Sequence, residues 1–239
     1  MSSTTETTTA ESRIPLSKER VLNAAIAVAD QGGIESLTMR KLAQELGVEA
    51  MSLYYHVANK DQVLDGVVEV IVSEIIGATS QIDDPAGPDP ASPGEWKTVM
   101  RRRILTAREI LLRHPWAPEV IETRTTMNPS IIMYFEALLG VFRSGGFSYD
   151  VAHHALHALG SRALGFSQEL FKPDDAAGED ASSAMLEEMA SRLPNLIGMM
   201  SEISHDDPES TLGWCDDQTE FEFGLDLILD GLDKLRPPG

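Results

Sequence analysis

Aromatic and basic side chains are concentrated at residues 54–60. Tyr54, Tyr55 and His56 are consecutive, and Lys60 follows four residues after His56, in a chain that contains only 4 Tyr. Neighbouring positions of a helix point about 100° apart, so the two tyrosine rings cannot easily enter one core. At least one of these rings should therefore contact something outside the core.

Three histidines form a second group with possible chemistry. His153 and His157 are four residues apart on one face of a predicted helix, as zinc ligands on a helix are, and His154 lies between them. No cysteine lies nearby and the sequence contains no HExxH pattern, so a polar pocket lining or packing at an interface explains the spacing better than a metal site. We predict neither a metal ion nor another cofactor. The alternative that stays open is a small helical metal-dependent hydrolase that uses His153, His154 and His157.

Composition is that of a soluble globular protein, with 42% hydrophobic and 24% charged residues. The single cysteine, Cys215, excludes an internal disulfide. Residues 1–12 are polar, without a signal-peptide pattern, and no apolar run approaches the roughly 20 residues of a membrane helix. We therefore expect a cytoplasmic protein with no membrane segment and a disordered tail at residues 1–12.

Charge is distributed unevenly along the chain. The formal net charge is −19, but residues 13–60 contain six basic and five acidic side chains, a net charge of +1. The local field, rather than the total charge, attracts a charged partner. Residues 13–60 are therefore the part of the chain that could approach a nucleic acid, and the alternative is that this segment is merely average in charge.

Helical periodicity extends over nearly the whole chain, and no alternating strand pattern occurs. Within the first third, Asn59 is predicted to cap a helix start while Gln62 bonds back to it. The predicted helices cover about residues 18–30, 38–46, 49–56, 60–75, 93–113, 129–144, 148–170, 185–203 with a kink at Pro194, and 217–235.

The second and third predicted helices have the spacing of a helix-turn-helix. Gly47 can take the left-handed turn between them, and the small Ala43 allows the helices to pack at a steep angle. The second helix of such a unit enters the major groove of DNA. The alternative is an ordinary helical hairpin. The pattern rests on Leu42, Ala43, Leu46, Gly47, Val48 and Leu53.

The run LTMRKLAQELGVEAMSLYYHVANKDQVLDGV resembles the DNA-binding domain of the TetR (tetracycline repressor) family, most specifically in LYYHV followed by NK. The later runs GFSYDVAHHALHALGSRALGF and FEFGLDLILDGL are similar to the C-terminal domain of the tetracycline-repressor branch. The resemblance implies an all-α fold. A three-helix DNA-binding domain at 13–60 would be joined by a helix at 61–80 to a ligand-binding and dimerisation domain within 61–239.

The resemblance also implies a function. The chain would be a ligand-responsive transcriptional repressor, not an enzyme, that binds a palindromic double-stranded DNA operator as a homodimer and is released by a small-molecule inducer. Arg40 and residues 50–52 would read bases, whereas Lys60 would bind a phosphate. As alternatives, Tyr55 packs on the first helix and His56 only caps a helix end. The implied DNA contacts are Thr38, Arg40, Ala50, Met51, Ser52, Tyr54, Tyr55, His56 and Lys60.

Candidate ligand-binding side chains lie in the second part of the chain, although Met and aromatic residues at helical spacing also fit a plain core. In the tetracycline-repressor branch a magnesium ion holds the drug. Ile121 stands at the place of its metal-binding histidine and Arg103 at that of a drug-holding asparagine, whereas Glu169 matches a supporting glutamate. We therefore do not expect tetracycline itself as the ligand. The candidates are Arg103, His114, Trp116, Met127, Met133, Phe135, His153, His157, Phe166 and Glu169.

The last predicted helix, at 217–235, is apolar over a wider arc than the roughly 100° of an ordinary surface helix. It should therefore pack both on its own core and on a second subunit, with Leu225 and Leu232 at the seam. The helix at 148–170 is rich in Ala and Gly, which allow close approach. The resemblance implies that the two helices of each subunit form a four-helix interface. Burial within a larger monomer is the alternative.

Overall fold

The computed structural model describes residues 15–80, 95–124, 128–165, 192–195, 198 and 217–236. Regular structure in these ranges is helical, without a strand, which confirms the predicted all-α class. None of the helices in these ranges has the length and hydropathy needed to span a bilayer. The helices are α1 (Lys18–Gly32), a 3₁₀ turn (Ile34–Ser36), α2 (Met39–Leu46), α3 (Ala50–Leu53), α4 (Lys60–Ser80), α5 (Trp96–Arg113), α6 (Ala117–Thr123), α7 (Pro129–Ser144), α8 (Tyr149–Gly165) and α9 (Asp217–Asp233).

Some sequence-based predictions lie outside the described residues. They are the tail at 1–12, the start of the helix predicted from residue 93, most of the helix at 185–203, and the ligand candidates Met127, Phe166 and Glu169.

The first of two compact units contains the described residues of Met1–Ser73 and Arg113–Asn128. Its core is built on α1, which buries Val21, Leu22, Ala25, Val28 and Ala29 along one stripe. Gly66 allows α4 to approach this helix closely, because a β-carbon there would lie only 2.5 Å from Leu22 Cδ2. The unit includes residues 61–73, 113–124 and 128, which lie beyond the predicted domain boundary at residue 60. That boundary stays a prediction.

The second compact unit contains the described residues of Glu74–Leu112 and Pro129–Gly239. Four helices, α5, α7, α8 and α9, contribute its core. Trp96 is its largest side chain and lies edge-on to Phe147, with ring centroids 4.6 Å apart. Such an arrangement of aromatic rings adds about 0.5–1.5 kcal/mol to the burial of their area.

Two local predictions around the third helix differ from the structure. The predicted helix at 49–56 is α-helical only over Ala50–Leu53, because the Leu53 carbonyl accepts from both the His56 and the Val57 amides and closes the helix in a tight turn. Asn59 Oδ1 accepts from the Gln62 amide at 2.9 Å, as predicted. Gln62 Oε1, however, accepts from the Ala58 amide at 2.8 Å rather than from that of Asn59.

Candidate nucleic-acid interface and ligand-binding side chains

The turn between α2 and α3 has the geometry that the sequence predicts. Thr38 Oγ1 accepts from the Lys41 amide at 3.1 Å and so caps α2. Gly47 ends this helix in the left-handed conformation, with φ 63°, and the Val48 amide then donates to the Ala43 carbonyl at 3.0 Å. The two short helices are therefore held by local bonds in a fixed relationship.

Three large apolar or aromatic side chains project from α3 and the turn that follows it. Met51 is 72% exposed, Tyr54 46% and Tyr55 88%. Exposure of this size excludes the alternative in which Tyr55 packs on α1. Leu53, by contrast, is fully buried. One face of this segment is thus anchored in the core, while the other presents aromatic and apolar groups to solvent.

Other candidate DNA contacts come before, within and after this segment in the sequence. Arg40 is exposed on the first turn of α2, and Lys60 is exposed at the first residue of α4. Ala50, Ser52 and His56 are half-buried. α4 continues without a break from Lys60 to Ser80, so its residues are shared between the two compact units.

Polar bonds join the segment around α6 to α1 and α4 within the first unit. Asp30 Oδ1 accepts from Trp116 Nε1 at 2.7 Å and lies 2.8 Å from His114 Nδ1. Farther along, Arg124 Nη1 lies 3.4 Å from carboxylate oxygens of Asp61 and of Asp65 on α4. The sequence pattern did not predict α6, because the helix is short and carries a proline, Pro118, in its first turn. His114 and Trp116 were predicted only as ligand contacts, and sequence reasoning missed their partner Asp30.

Arg103 is buried in the second unit, with only 5% of its surface exposed. Burial raises the pKa of the Tyr134 phenol to about 12, and the positive charge of Arg103 opposes this rise by favouring the ionised phenol. Met133 and Phe135, the candidates on either side of Tyr134, are exposed on α7. Sequence reasoning missed Tyr134, although its spacing to the buried Leu138 and Val141 shows that it shares their face of α7.

The described candidate ligand residues are divided between the two compact units. His114 and Trp116 belong to the first unit, and Arg103, Met133, Phe135, His153 and His157 to the second. His153 and His157 are exposed on α8. A groove of 440 Å³ in the second unit runs along α5 and reaches the start of α9, and it includes none of the candidates. It is lined by Thr98, Arg101, Arg102, Leu105, Thr106, Glu109, Leu112 and Gln218.

The last helix, α9, has apolar side chains on two sides. Its inner side is buried in the second unit and contains Phe221, Leu225, Leu229 and Leu232. Leu225 and Leu232 are therefore core residues, and their predicted position at a subunit seam is wrong. Three other apolar residues of this segment point outward: Phe223 is 62% exposed, Leu227 58% and Leu235 60%.

Comparisons with known proteins identify both halves of the chain. The model described as bacterial regulatory proteins, tetR family, matches residues 21–67, and the model of the tetracyclin repressor-like C-terminal domain matches residues 88–236. An HTH-type transcriptional regulator of Saccharopolyspora erythraea is 26% identical, over 91% of this chain and 84% of the relative. The HTH-type transcriptional repressor DrrR1 of Streptomyces coeruleorubidus is 29% identical, over 92% and 78%. A crystal structure of the Streptomyces coelicolor TetR family protein ActR in complex with (S)-DNPA has a TM-score of 0.68 and 25% identity, and it covers 94% of this chain and 100% of that chain.

Proposed function

This chain belongs to the TetR family of bacterial transcriptional regulators, and we propose that it occupies a palindromic operator as a homodimer until a small-molecule inducer releases it. Members of the family are DNA-binding regulators rather than enzymes, so the hydrolase alternative is dropped. The observation that carries the proposal is the capped helix-turn-helix, whose second helix leaves Met51, Tyr54 and Tyr55 exposed. An operator would place the protein in the cytoplasm.

Base reading and phosphate binding are assigned to different residues. Arg40 can donate two parallel hydrogen bonds to a guanine edge, whereas Ala50, Met51 and Ser52 offer contacts to base methyl groups and polar edges. Lys60, the exposed first residue of α4, neutralises a phosphate beside the positive end of that helix. Phosphate contacts fix the register on the duplex and base contacts specify its sequence. The remaining contacts in the proposal are Thr38, Tyr54, Tyr55 and His56.

Dimerisation is assigned to α8 and to the outward side of α9. Phe223 and Leu227 are one helical turn apart and both more than half exposed, so a second subunit would remove a continuous apolar strip from water. On α8 the exposed Ala158 and Gly165 leave room for a close helix pair. A two-fold dimer presents two reading helices, and these require two half-sites about one DNA turn apart.

The inducer site is assigned to the C-terminal domain, with Arg103 as its central polar residue. Arg103 is a buried guanidinium whose charge acts on the phenol of Tyr134, and it would provide polar recognition next to an apolar core. The solved complex of ActR with (S)-DNPA supports a small molecule as the ligand. The described candidates of the same unit, Met133, Phe135, His153 and His157, are retained in this assignment, whereas His114 and Trp116 belong to the first unit and are not part of it.

Operator binding is tested by fluorescence anisotropy with labelled DNA taken from the regions flanking the protein's own reading frame. The control is DNA of the same length and base composition with the order scrambled. We expect binding to at least one flanking segment that survives an excess of scrambled competitor, and a footprint with two-fold symmetry. Equal affinity for native and scrambled DNA would refute sequence-specific repression.

Inducer binding is tested by thermal shift with a small-molecule panel that includes (S)-DNPA and, separately, tetracycline with Mg²⁺. A ligand at 100 times its dissociation constant stabilises the folded protein by about 2.7 kcal/mol. A compound that stabilises the protein is then titrated with and without operator DNA. Because coupling is reciprocal, an inducer must bind more weakly in the presence of operator by the same factor by which it weakens operator binding. Identical affinities in the two titrations would show that the compound is not an inducer.

A further inference from the structure

Two exposed histidines on α8 are placed as a pair. The ring centroids of His153 and His157 are 4.7 Å apart, and the ring planes make an angle of 80°. The residues are one helical turn apart, and both side chains are exposed, so their rings can rotate without disturbing the core. The proposed regulation of transcription uses them only as candidate ligand contacts, and the groove on α5 does not include them.

The separation of the two rings matches the separation expected when two imidazoles share a metal ion. Zinc lies about 2.0–2.1 Å from an imidazole nitrogen, and the ring centre lies about 1.1 Å farther away, so each centroid would be about 3.2 Å from the ion. Centroids 4.7 Å apart then correspond to an angle of about 95° at the metal, which is close to the octahedral angle and below the tetrahedral one. The spacing of the two residues on α8 therefore allows both rings to reach one ion without a change in the backbone.

We propose that His153 and His157 together bind one divalent transition-metal ion of the kind that imidazole favours, such as Zn²⁺, Ni²⁺ or Cu²⁺. Among the described residues, no group of three or more His, Cys, Asp and Glu is arranged to hold a metal. Each chain thus supplies two ligands, and water fills the remaining positions. The site binds metal and has no catalytic role.

His154 is not part of this site. Its ring centroid is 5.5 Å from that of His153, and its Nε2 is directed to Asp150, with 3.9 Å between Nε2 and Oδ1. It is exposed on the same helix, and it differs from His153 mainly in pointing about 100° farther around the helix axis. His154 therefore provides a matched control for the pair.

The pair lies on the side of α8 away from α9. Measured from the buried Ala152, His153 lies at about +100° and His157 at about +140° around the helix, whereas Arg162 lies at about −80°. Arg162 donates to the Glu220 carbonyl of α9, so α9 lies on the same side of α8 as Arg162, opposite to the two histidines. The two histidines thus lie away from the α9 part of the proposed dimer surface, and zinc titration and sedimentation of the Phe223→Ser/Leu227→Ser variant test the two proposals separately.

The test is isothermal titration of the EDTA-treated full-length protein with ZnCl₂. We expect His153→Asn and His157→Asn each to weaken zinc binding at least about tenfold, because each removes one of two ligands, while His154→Asn stays within about twofold of wild type. Circular dichroism and operator binding, measured on the same samples, report folding and regulation independently. An equal loss in His154→Asn, or equal zinc binding by wild type and the His153→Asn/His157→Asn double variant, would overturn the proposal.

Discussion

Arg101 on α5 holds the carboxylate of Asp226 on α9 through two nitrogens, with Nε 2.7 Å from Oδ1 and Nη2 3.4 Å from Oδ2. The same Nη2 donates to Glu222 Oε2 at 2.6 Å. One turn away, Lys97 pairs with Asp230. The acidic side of the last helix is therefore neutralised in part by basic residues of α5, more than 100 positions earlier in the chain.

Removing Arg101 should lower the stability of the C-terminal domain modestly. Arg101 and its partners Glu222 and Asp226 each have a third or more of the side chain exposed. Exposed ion pairs contribute only about 0.2–1 kcal/mol to the free energy of unfolding. We expect Arg101→Met to lower the free energy of unfolding in urea by about that amount. Arg102→Met, at the exposed neighbouring position, is the control. A loss of equal size in both variants would contradict a specific role of the bridges.

Stability should fall in acid through Glu222. The hydrogen bond from Gln218, followed by that from Arg101, lowers the pKa of Glu222 below its ordinary value of 4.5. A carboxyl whose pKa is lowered in the folded state stabilises the fold above the unfolded-state pKa, and this contribution is lost as pH falls through the folded-state pKa. Urea unfolding between pH 6 and pH 3 should therefore show a decline that begins near the ordinary pKa of a glutamate. Glu222→Gln should decline less steeply, and an unchanged slope would contradict this assignment.

Asp30 should stabilise the first unit by accepting from a buried indole. Trp116 is only 5% exposed, so Asp30→Ala leaves its N–H without an acceptor at a cost of about 1–3 kcal/mol. Asp30→Asn keeps a carbonyl oxygen in the same place and should cost less. Glu35→Ala, at an exposed acid of the same unit, is the control. The measurement is urea unfolding followed by circular dichroism, and equal losses in Asp30→Asn and Asp30→Ala would contradict the hydrogen-bond explanation.

Local signals explain which parts of the fold could be predicted from the sequence. The left-handed turn at Gly47 and the cap at Asn59 act within a few residues, and both lie where the sequence pattern predicts. The length of α3 could not be predicted in this way, because it ends where Leu53 and Val57 enter the core and force a tight turn. Capping side chains and glycines determine helix ends, but packing determines how far a short helix continues.

Contacts between distant segments explain what sequence reasoning missed. The bond between Asp30 and Trp116 joins positions 86 residues apart, and neither residue shows a pattern that points to the other. The wide apolar arc of the last helix correctly indicated two apolar sides, but the sequence could not decide which side faces its own core. Leu225 and Leu232 were assigned to the wrong side for that reason, and the structure directs Phe223 and Leu227 outward.

The outward side of α9 should carry the dimer contact. Phe223→Ser with Leu227→Ser removes two apolar groups that are exposed in the single chain, so the variant should keep its helical circular dichroism and sediment as a monomer. Leu112→Ser changes a residue of similar exposure, 57%, on α5 and should remain dimeric. Leu225→Asp with Leu232→Asp should instead lose its fold, because both residues are buried in the core and an unpaired charge there costs several kcal/mol. A folded dimer in the Phe223→Ser/Leu227→Ser variant would show that another surface joins the subunits.

Arg40 and Lys60 should differ in how they affect operator binding. Arg40→Ala removes a base contact, so it should cost about 1–3 kcal/mol on the preferred operator and relax the preference at one position in each half-site. Lys60→Ala removes a phosphate contact, so it should weaken binding to all sequences alike and reduce the salt slope by about one ion per subunit. The control is Lys234→Ala, which removes the same charge from an exposed position near the end of the chain and should change neither quantity. Anisotropy titrations against a set of single-base operator variants at several salt concentrations separate the two effects. If Arg40→Ala and Lys60→Ala weaken binding equally across every base variant, the division between base reading and phosphate binding is wrong.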